Sequence, residues 1–308
     1  MSNVSFFAAP DARELETKNQ TLRELLRAMN RALIAFSGGV DSAFLLCVAR
    51  QELGERAQAF IGVSPSLMPE ELEEARELAG QIGAPLREIE THEMDDPNYA
   101  SNPNNRCYFC KSELYDVLNR VAQDEEFDTV CDGTNVDDLT EWRPGARAGS
   151  ERAIRSPLRE AGLNKAEIRV LSRQLGLPTW DKPAMPCLSS RIPYGTPVTR
   201  EALQMIGKGE AWLRERGLRE VRVRHYIENE KPTARLEIAP DELPKIFAFY
   251  EAAAGYLKSL GYQAVLLDLE GYRRGRLNAA ITTEQITLQI QPRDETQSVA
   301  RPMNAAIG

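Results

Sequence analysis

The chain has 308 residues, 42% of them hydrophobic and 27% charged, which is the balance of a globular protein long enough for two domains. Its 38 Lys and Arg against 46 Asp and Glu leave a net charge of -8, which argues against a nucleic-acid binder, because phosphate neutralisation needs clustered cations. No apolar run reaches the ~20 residues of a membrane span, and residues 1–9 lack the cationic start and long apolar stretch of a secretory signal; a cytoplasmic protein with five reduced cysteines is expected.

Residues 1–12 read as a flexible lead-in. A helix is predicted over about 11–30, with Leu15, Leu22, Leu25 and Leu26 on one side. The continuous apolar run 32–36 reads as a strand buried on both faces. A helix follows from about 40, then a strand over 57–63, a Glu-rich helix over 69–82, a strand near 86–89 and a helix over 111–123. A fourth strand, 129–131, ends in Asp132-Gly133-Thr134-Asn135, and Asn164 is a fitting N-cap for a helix over 165–175. Strands alternating with helices predict an α/β fold with a doubly wound parallel sheet. Residues 178–197 hold five prolines and read as an ordered loop between domains. Beyond lie a helix over 199–216, strands at 220–225 and 234–238, a helix over 244–260 and a strand at 264–269, a smaller α+β unit. The expected domains are thus 13–182 and 183–290, with a disordered tail at 291–308.

The strongest chemical signal is Ser37-Gly38-Gly39-Val40-Asp41-Ser42, between a buried strand and a helix. Glycines let successive backbone N–H groups close on one anion, and the helix N-terminus adds partial positive charge. The hydroxyls of Ser37 and Ser42 can donate to phosphate. Asp41 would repel a bare phosphate, so it either holds Mg²⁺ or caps the helix. No Lys follows as a Walker A loop requires. The loop resembles that of PP-loop ATP pyrophosphatases, which implies ATP cleaved between its α and β phosphates. Gly133 and Thr134 end a strand, where ligands bind in such sheets, and similar turns in PP-loop proteins lie near the nucleotide. Asp132 or Asp137 is a candidate second Mg²⁺ contact, and Lys182 a candidate to neutralise pyrophosphate.

Cys47 and Cys131 fall in apolar segments and read as core residues. Cys107 and Cys110 form a single C-x-x-C beside Arg106 and Lys111, cations that favour thiolate. One such pair supplies two ligands, and with only His92 and His225 elsewhere a structural zinc site is weakly supported. Cys187 lies among prolines in Pro186-Cys187-Leu188-Ser189-Ser190-Arg191, pinned and close in sequence to Lys182 and Arg191, a setting suited to a sulfur nucleophile.

Together SGGVDSAFL, NRCYFCK, DGTNVDD, PCLSSRIPYG and LDLEGYRRGRLN resemble the LarE family, ATP-dependent sulfur transferases of nickel-pincer cofactor synthesis. The resemblance covers roughly residues 15–280. It implies a pyridinium-3,5-biscarboxylic acid mononucleotide substrate whose carboxylates are adenylated and converted to thiocarboxylates. It leaves two sulfur routes open. In one, the sulfur is taken from Cys187, leaving dehydroalanine. In the other, Cys107, Cys110 and Cys187 hold a [4Fe-4S] cluster whose open iron carries sulfide. It also implies a homo-oligomer.

Arg222 and Arg224 alternate with Val221 and Val223, so the two guanidinium groups share one strand face and suit a phosphate or carboxylate. Arg191, Glu210 and Asp268 join them as candidate substrate residues. A PP-loop tRNA thiolation enzyme and an amidating ligase of the NAD or GMP synthetase kind are the competing readings. The acidic charge and lone C-x-x-C weigh against the first, and the second gives Cys187 no role.

Overall fold

The structure, a computed structural model, describes residues 11–139, 144–183 and 185–273. The chain divides into two compact units, Met1–Arg274 and Gly275–Gly308, and every described residue belongs to the first. The expected tail at 291–308, most of the lead-in at 1–12 and the end of the second expected domain lie outside the described residues.

Four strands, β1 (Ala32–Ala35), β2 (Ala57–Val63), β3 (Leu86–Glu90) and β4 (Thr129–Cys131), form a parallel sheet in the order β3-β2-β1-β4. Strand β1 is buried throughout. Its Ala32 and Ile34 face one helical layer while Leu33 and Ala35 face the other. The first layer holds α1 (Ala12–Arg27), α2 (Val40–Leu53) and α3 (Pro69–Ile82). Small residues Ala32, Ala57 and Ala59 let α2 approach the sheet, and α2 is apolar almost all round, as a helix buried in a core must be. After the short turn α4 (Pro97–Ala100), α5 (Arg106–Asp124) and α6 (Pro144–Glu151) cover the second face. A short turn α7 (Pro157–Glu160) and α8 (Lys165–Gln174) return to the first. Helix α8 opens on a capping box: Asn164 accepts from the Glu167 N–H and Glu167 from the Asn164 N–H, both at 2.9 Å. Helices on both faces of a parallel sheet make the expected doubly wound fold.

Two differences from the sequence reading are physical. Helix α5 begins at Arg106, five residues before the predicted start, so the C-x-x-C lies inside its first turn. Helix α6 escaped prediction because Gly145 and Gly149 disfavour helix. Both serve close packing on α5: a Cβ on Gly145 would lie 2.8 Å from Lys111 Cγ, and one on Gly149 would lie 3.5 Å from the Tyr115 ring.

The second sheet contains β5 (Val221–Glu228), β6 (Lys231–Ile238) and β7 (Ala264–Leu267), the first pair antiparallel and the second parallel. Asn229 and Glu230 both take positive φ in the two-residue hairpin, which matches the strand twist. Helices α9 (Arg200–Glu215) and α10 (Tyr250–Ser259) pack on the face of Val221, Val223, Leu236 and Ile238. The predicted helix at 244–260 is split, with a 3₁₀ stretch over Leu243–Ala248 and a break at Phe249, where φ is -146°. The opposite face of the sheet carries Arg222, Arg224, Arg235 and Glu237. A small core of Met68, Tyr99, Leu188, Ile192 and Leu203 joins the two sheets. No helix among the described residues is long and apolar enough to cross a membrane.

Candidate active site

Strand β1 delivers the chain at the carboxyl edge of the first sheet into Ser37-Gly38-Gly39, and α2 starts at Val40. Gly38 holds φ +67°, which L side chains resist, and a Cβ there would lie 3.1 Å from the Cβ of Ala75 in α3. Gly39 caps α2 with no side-chain acceptor, so the N–H groups of Val40, Asp41 and Ser42 have the helix dipole behind them and no intrahelical partner. The Ser37 and Ser42 hydroxyls meet at 3.1 Å, and Ser42 Oγ accepts the Ser37 N–H at 3.2 Å. The Asp132-Gly133-Thr134 turn forms the opposite wall: a Cβ on Gly133 would lie 2.9 Å from Ser42 N. Both loops sit where strand order reverses, between β1 and β4.

Asp41 is engaged on one side. Its Oδ2 accepts from Lys165 Nζ at 2.6 Å, while Oδ1 is buried without a partner among the described residues. An orphaned carboxylate oxygen beside an anion-binding loop suits a hard cation such as Mg²⁺. Asp132 is placed differently. Its oxygens accept from Tyr115 and Thr134 hydroxyls at 2.7 Å, Ser156 Oγ at 2.8 Å and the Thr134 N–H at 3.1 Å. With both oxygens accepting hydrogen bonds, Asp132 shapes the turn beside Gly133. Lys182 reaches the loop, with Nζ 3.4 Å from the Gly38 carbonyl and 2.7 Å from Glu74. Lys165 went unnoticed in the sequence, since nothing local links it to a partner 124 residues away.

Cys187 opens a 3₁₀ turn, Leu188–Arg191. The Leu188 N–H donates to the Ser66 carbonyl at 2.9 Å, which sets this turn at the carboxyl edge of the parallel sheet, just past β2. Three buried guanidinium groups hold its carbonyls. Arg191 donates to those of Pro186 and Cys187, Arg106 to Ser189 at 3.0 Å and Arg224 to Ser190 at 2.7 Å. Arg191 and Glu210 are 0% exposed and joined by two bonds of 2.8 Å. Burial would raise the Glu210 carboxyl, but Arg191 and Arg214 outweigh it and hold it below the ordinary range. Arg224 pairs with Glu237 at 2.8 Å. Arg191, Glu210 and Arg224 are thus shut away and paired, and the two arginines bind the backbone around the cysteine.

Arg222 is buried with no carboxylate partner among the described residues. It donates to the Val221 carbonyl at 2.9 Å and lies 4.9 Å over the Tyr272 ring. Burial and the charge of Arg191 hold it below its ordinary value, against the opposing charge of Glu210. Asp268, just past β7, stands 3.6 Å from Arg235 and accepts the Glu270 N–H at 3.0 Å. Between the phosphate loop and the arginines stand the first two turns of α3. Ala75 abuts Gly38 and, one turn earlier, Glu71 faces Arg191, Lys182 and Arg214. Burial pushes the Glu71 carboxyl up despite those cations, and its Oε1 has no partner among the described residues.

Cys110 packs into the small core beside Tyr99 and Leu188. Its thiol is pushed well up by burial, and further by Glu93, Cys187 and Cys107. Burial also pushes the Cys107 thiol up, against Arg106 and Lys111, so at neither cysteine do those cations win the thiolate expected from the sequence. No three His, Cys, Asp or Glu side chains among the described residues could grip a single metal ion; an iron–sulfur cubane spaces its thiolates more widely than one ion does. Cys131 is buried and Cys47 half-buried, both in the first core.

Known proteins resemble this chain at two levels. The asparagine synthase family matches residues 16–102, from α1 through the phosphate loop to just past α4. At the same level, the glutamine-hydrolysing GMP synthase of Aeropyrum pernix is 28% identical over 212 residues, 60% of this chain and 39% of its own. Two relatives match nearly end to end. An uncharacterized protein of Synechocystis is 47% identical over 272 residues, 87% of this chain and 99% of its own. The pyridinium-3,5-bisthiocarboxylic acid mononucleotide synthase of Lactiplantibacillus plantarum is 34% identical over 273 residues, 88% of this chain and 98% of its own.

Proposed function

Because the chain belongs to the LarE family, we propose that it uses ATP to convert the carboxylates of pyridinium-3,5-biscarboxylic acid mononucleotide to thiocarboxylates, with release of AMP and pyrophosphate. The observation that carries this reading is the common edge: the Cys187 turn hangs from Ser66 at the carboxyl end of β2, beside the phosphate loop at the carboxyl end of β1.

The main-chain N–H groups at 38–42 receive the β and γ phosphates, with the hydroxyls of Ser37 and Ser42 turning from each other to donate. Lys182 and Lys165, held by Glu74 and Asp41, exchange those acids for phosphate oxygens. Mg²⁺, held through Asp41 Oδ1, would supply charge neutralisation when bound. Gly133 and Thr134 wall the nucleotide. Arg222 receives an anionic group of the substrate, since a guanidinium buried without a carboxylate gains most from one. A substrate carboxylate attacks the α phosphorus and pyrophosphate leaves. On the sacrificial route the Cys187 thiolate then displaces AMP to give a thioester, and loss of the Cys187 Cα proton with cleavage of its Cβ–S bond releases the thiocarboxylate and leaves dehydroalanine.

For the sulfur itself, Cys107, Cys110 and Cys187 form a donor set suited to a [4Fe-4S] cluster, which would supply an open iron for sulfide. About four iron atoms per chain after anaerobic purification support that route. A chain that lacks iron and loses the Cys187 sulfur after turnover supports the sacrificial one. The function is tested by incubating the protein with ATP and the biscarboxylic nucleotide. Pyrophosphate release should depend on the nucleotide and be accompanied by its thiocarboxylate; release that ignores the nucleotide contradicts the reading.

A further inference from the structure

Helix α8 carries Lys165, Arg169 and Arg173 at intervals of four, so the three cations share one side of the helix. Lys165 Nζ donates to Asp41 in the phosphate loop at 2.6 Å. Arg169 reaches the segment that carries Lys182: its Nη1 donates to the Trp180 carbonyl at 2.8 Å and its Nη2 to the Lys182 carbonyl at 2.9 Å. The Arg173 guanidinium lies 4.8 Å over the Trp180 ring and closes the same segment from the next turn of the helix.

Residues 177–183 belong to no helix or strand, and Pro178 and Pro183 have no N–H to give. Within the segment the Trp180 N–H donates to the Leu177 carbonyl at 3.3 Å and the Lys182 N–H to the Thr179 carbonyl at 3.0 Å. The carbonyls of Trp180 and Lys182 themselves are the pair that Arg169 takes. With its own carbonyl held, Lys182 starts from a fixed point, and its Nζ stands 3.4 Å from the Gly38 carbonyl and 2.7 Å from Glu74. A lysine on a loose turn would have to give up backbone and rotamer freedom each time it met a phosphate, and the grip of Arg169 removes the backbone part of that cost.

We propose that Arg169 is a positioning residue of the phosphate site: its fork on the 180–182 turn sets Lys182 at the loop, so that α8 places both lysines, Lys165 directly and Lys182 through Arg169. The ligand that feels this is the diphosphate end of ATP and the pyrophosphate that leaves. This rests on residues 37–42 and Lys182 as the phosphate site and is independent of the sulfur chemistry. What the turn requires is the fork and not the charge alone, because two carbonyls are held by two separate nitrogens and a single ammonium cannot copy that.

The test is the binding of magnesium pyrophosphate, followed by titration calorimetry, with urea unfolding to show that each variant is folded. Lys182→Met should weaken binding about tenfold or more. Arg169→Lys and Arg169→Met should each weaken it about threefold or more, although the first keeps the charge. Added to Lys182→Met, either Arg169 substitution should change binding by about twofold or less, because Arg169 acts through a lysine that is no longer there. A general loosening of the site would instead cost as much with Lys182 absent as with it present, and that result overturns the proposal. Full affinity in Arg169→Lys with loss in Arg169→Met also overturns it, since a bare charge would then suffice. Undiminished binding by Lys182→Met or by Arg169→Met overturns it as well, and so does an unmodified protein that does not bind magnesium pyrophosphate. Calorimetry needs no pyridinium nucleotide: if the variants behave as expected but the unmodified protein makes no thiocarboxylate, it is the proposed function that fails.

Discussion

Asp41 sits between a lysine and an empty-handed oxygen, and that asymmetry sets its role. Lys165 occupies Oδ2, and the buried Oδ1 has nothing to accept among the described residues. Leaving a carboxylate oxygen so placed costs about 1–3 kcal/mol, and more for a charge, unless a cation arrives. Asp41→Asn keeps the shape and removes the charge. It should lower pyrophosphate release by about 100-fold or more and flatten its dependence on Mg²⁺ concentration. Release at the unmodified rate would exclude the metal role. Gly38 makes a second residue-scale case. An alanine there would take φ +67° at a cost of about 1–2 kcal/mol and press on Ala75. Gly38→Ala should therefore unfold at lower urea concentration and lose ATP cleavage together, while Gly80→Ala, an exposed helix position with open space around its Cα, should do neither.

The turn carrying Cys187 is an element held from both sides. Its carbonyls are bound by arginines from its own end, from α5 and from β5. The pair of Arg191 and Glu210 locks this arrangement, and breaking such a buried pair costs about 3–5 kcal/mol. Glu210→Gln should be destabilised accordingly at neutral pH. Because the folded state holds the Glu210 carboxyl below its ordinary range, its contribution is present above that range and lost as pH falls through the lowered value. Urea unfolding of both proteins from about pH 7 to about pH 3 should show the stability gap close at the acid end. A gap that stays constant would mean that the glutamate charge contributes nothing. This element also shows where sequence reading stops. The prolines marked 178–197 as ordered, and residue types marked Arg191, Arg224 and Glu210 as site material. Whether a guanidinium faces a ligand or a carbonyl depends on partners far away in the chain, which no local pattern carries. Arg222 and Arg224 alternate identically on β5, yet Arg224 pairs with Glu237 and Arg222 makes no ion pair among the described residues.

Across the whole molecule, periodicity was enough for the parallel sheet, because buried strands such as 32–36 and 57–63 are continuous apolar runs between strong helices. The phosphate loop was legible because its chemistry is local: six consecutive residues shape one cradle. Lys165, Glu71 and Arg106 were not, because each owes its place to contacts made by tertiary folding. The shared core of α5 and the proline-rich turn, where Cys110 packs beside Leu188, was equally hidden. The fold brings the Gly-rich loop after β1 and the Cys187 turn, hung from Ser66 past β2, to one edge of the parallel sheet. The most direct measurement is to incubate Cys187→Ala with ATP and the biscarboxylic nucleotide, quench in acid, and follow the nucleotide and pyrophosphate by mass spectrometry and enzymatic assay. The acyl adenylate should accumulate with matching pyrophosphate and without thiocarboxylate. Thiocarboxylate formed by Cys187→Ala, or loss of adenylate and pyrophosphate together in a folded protein, would contradict it.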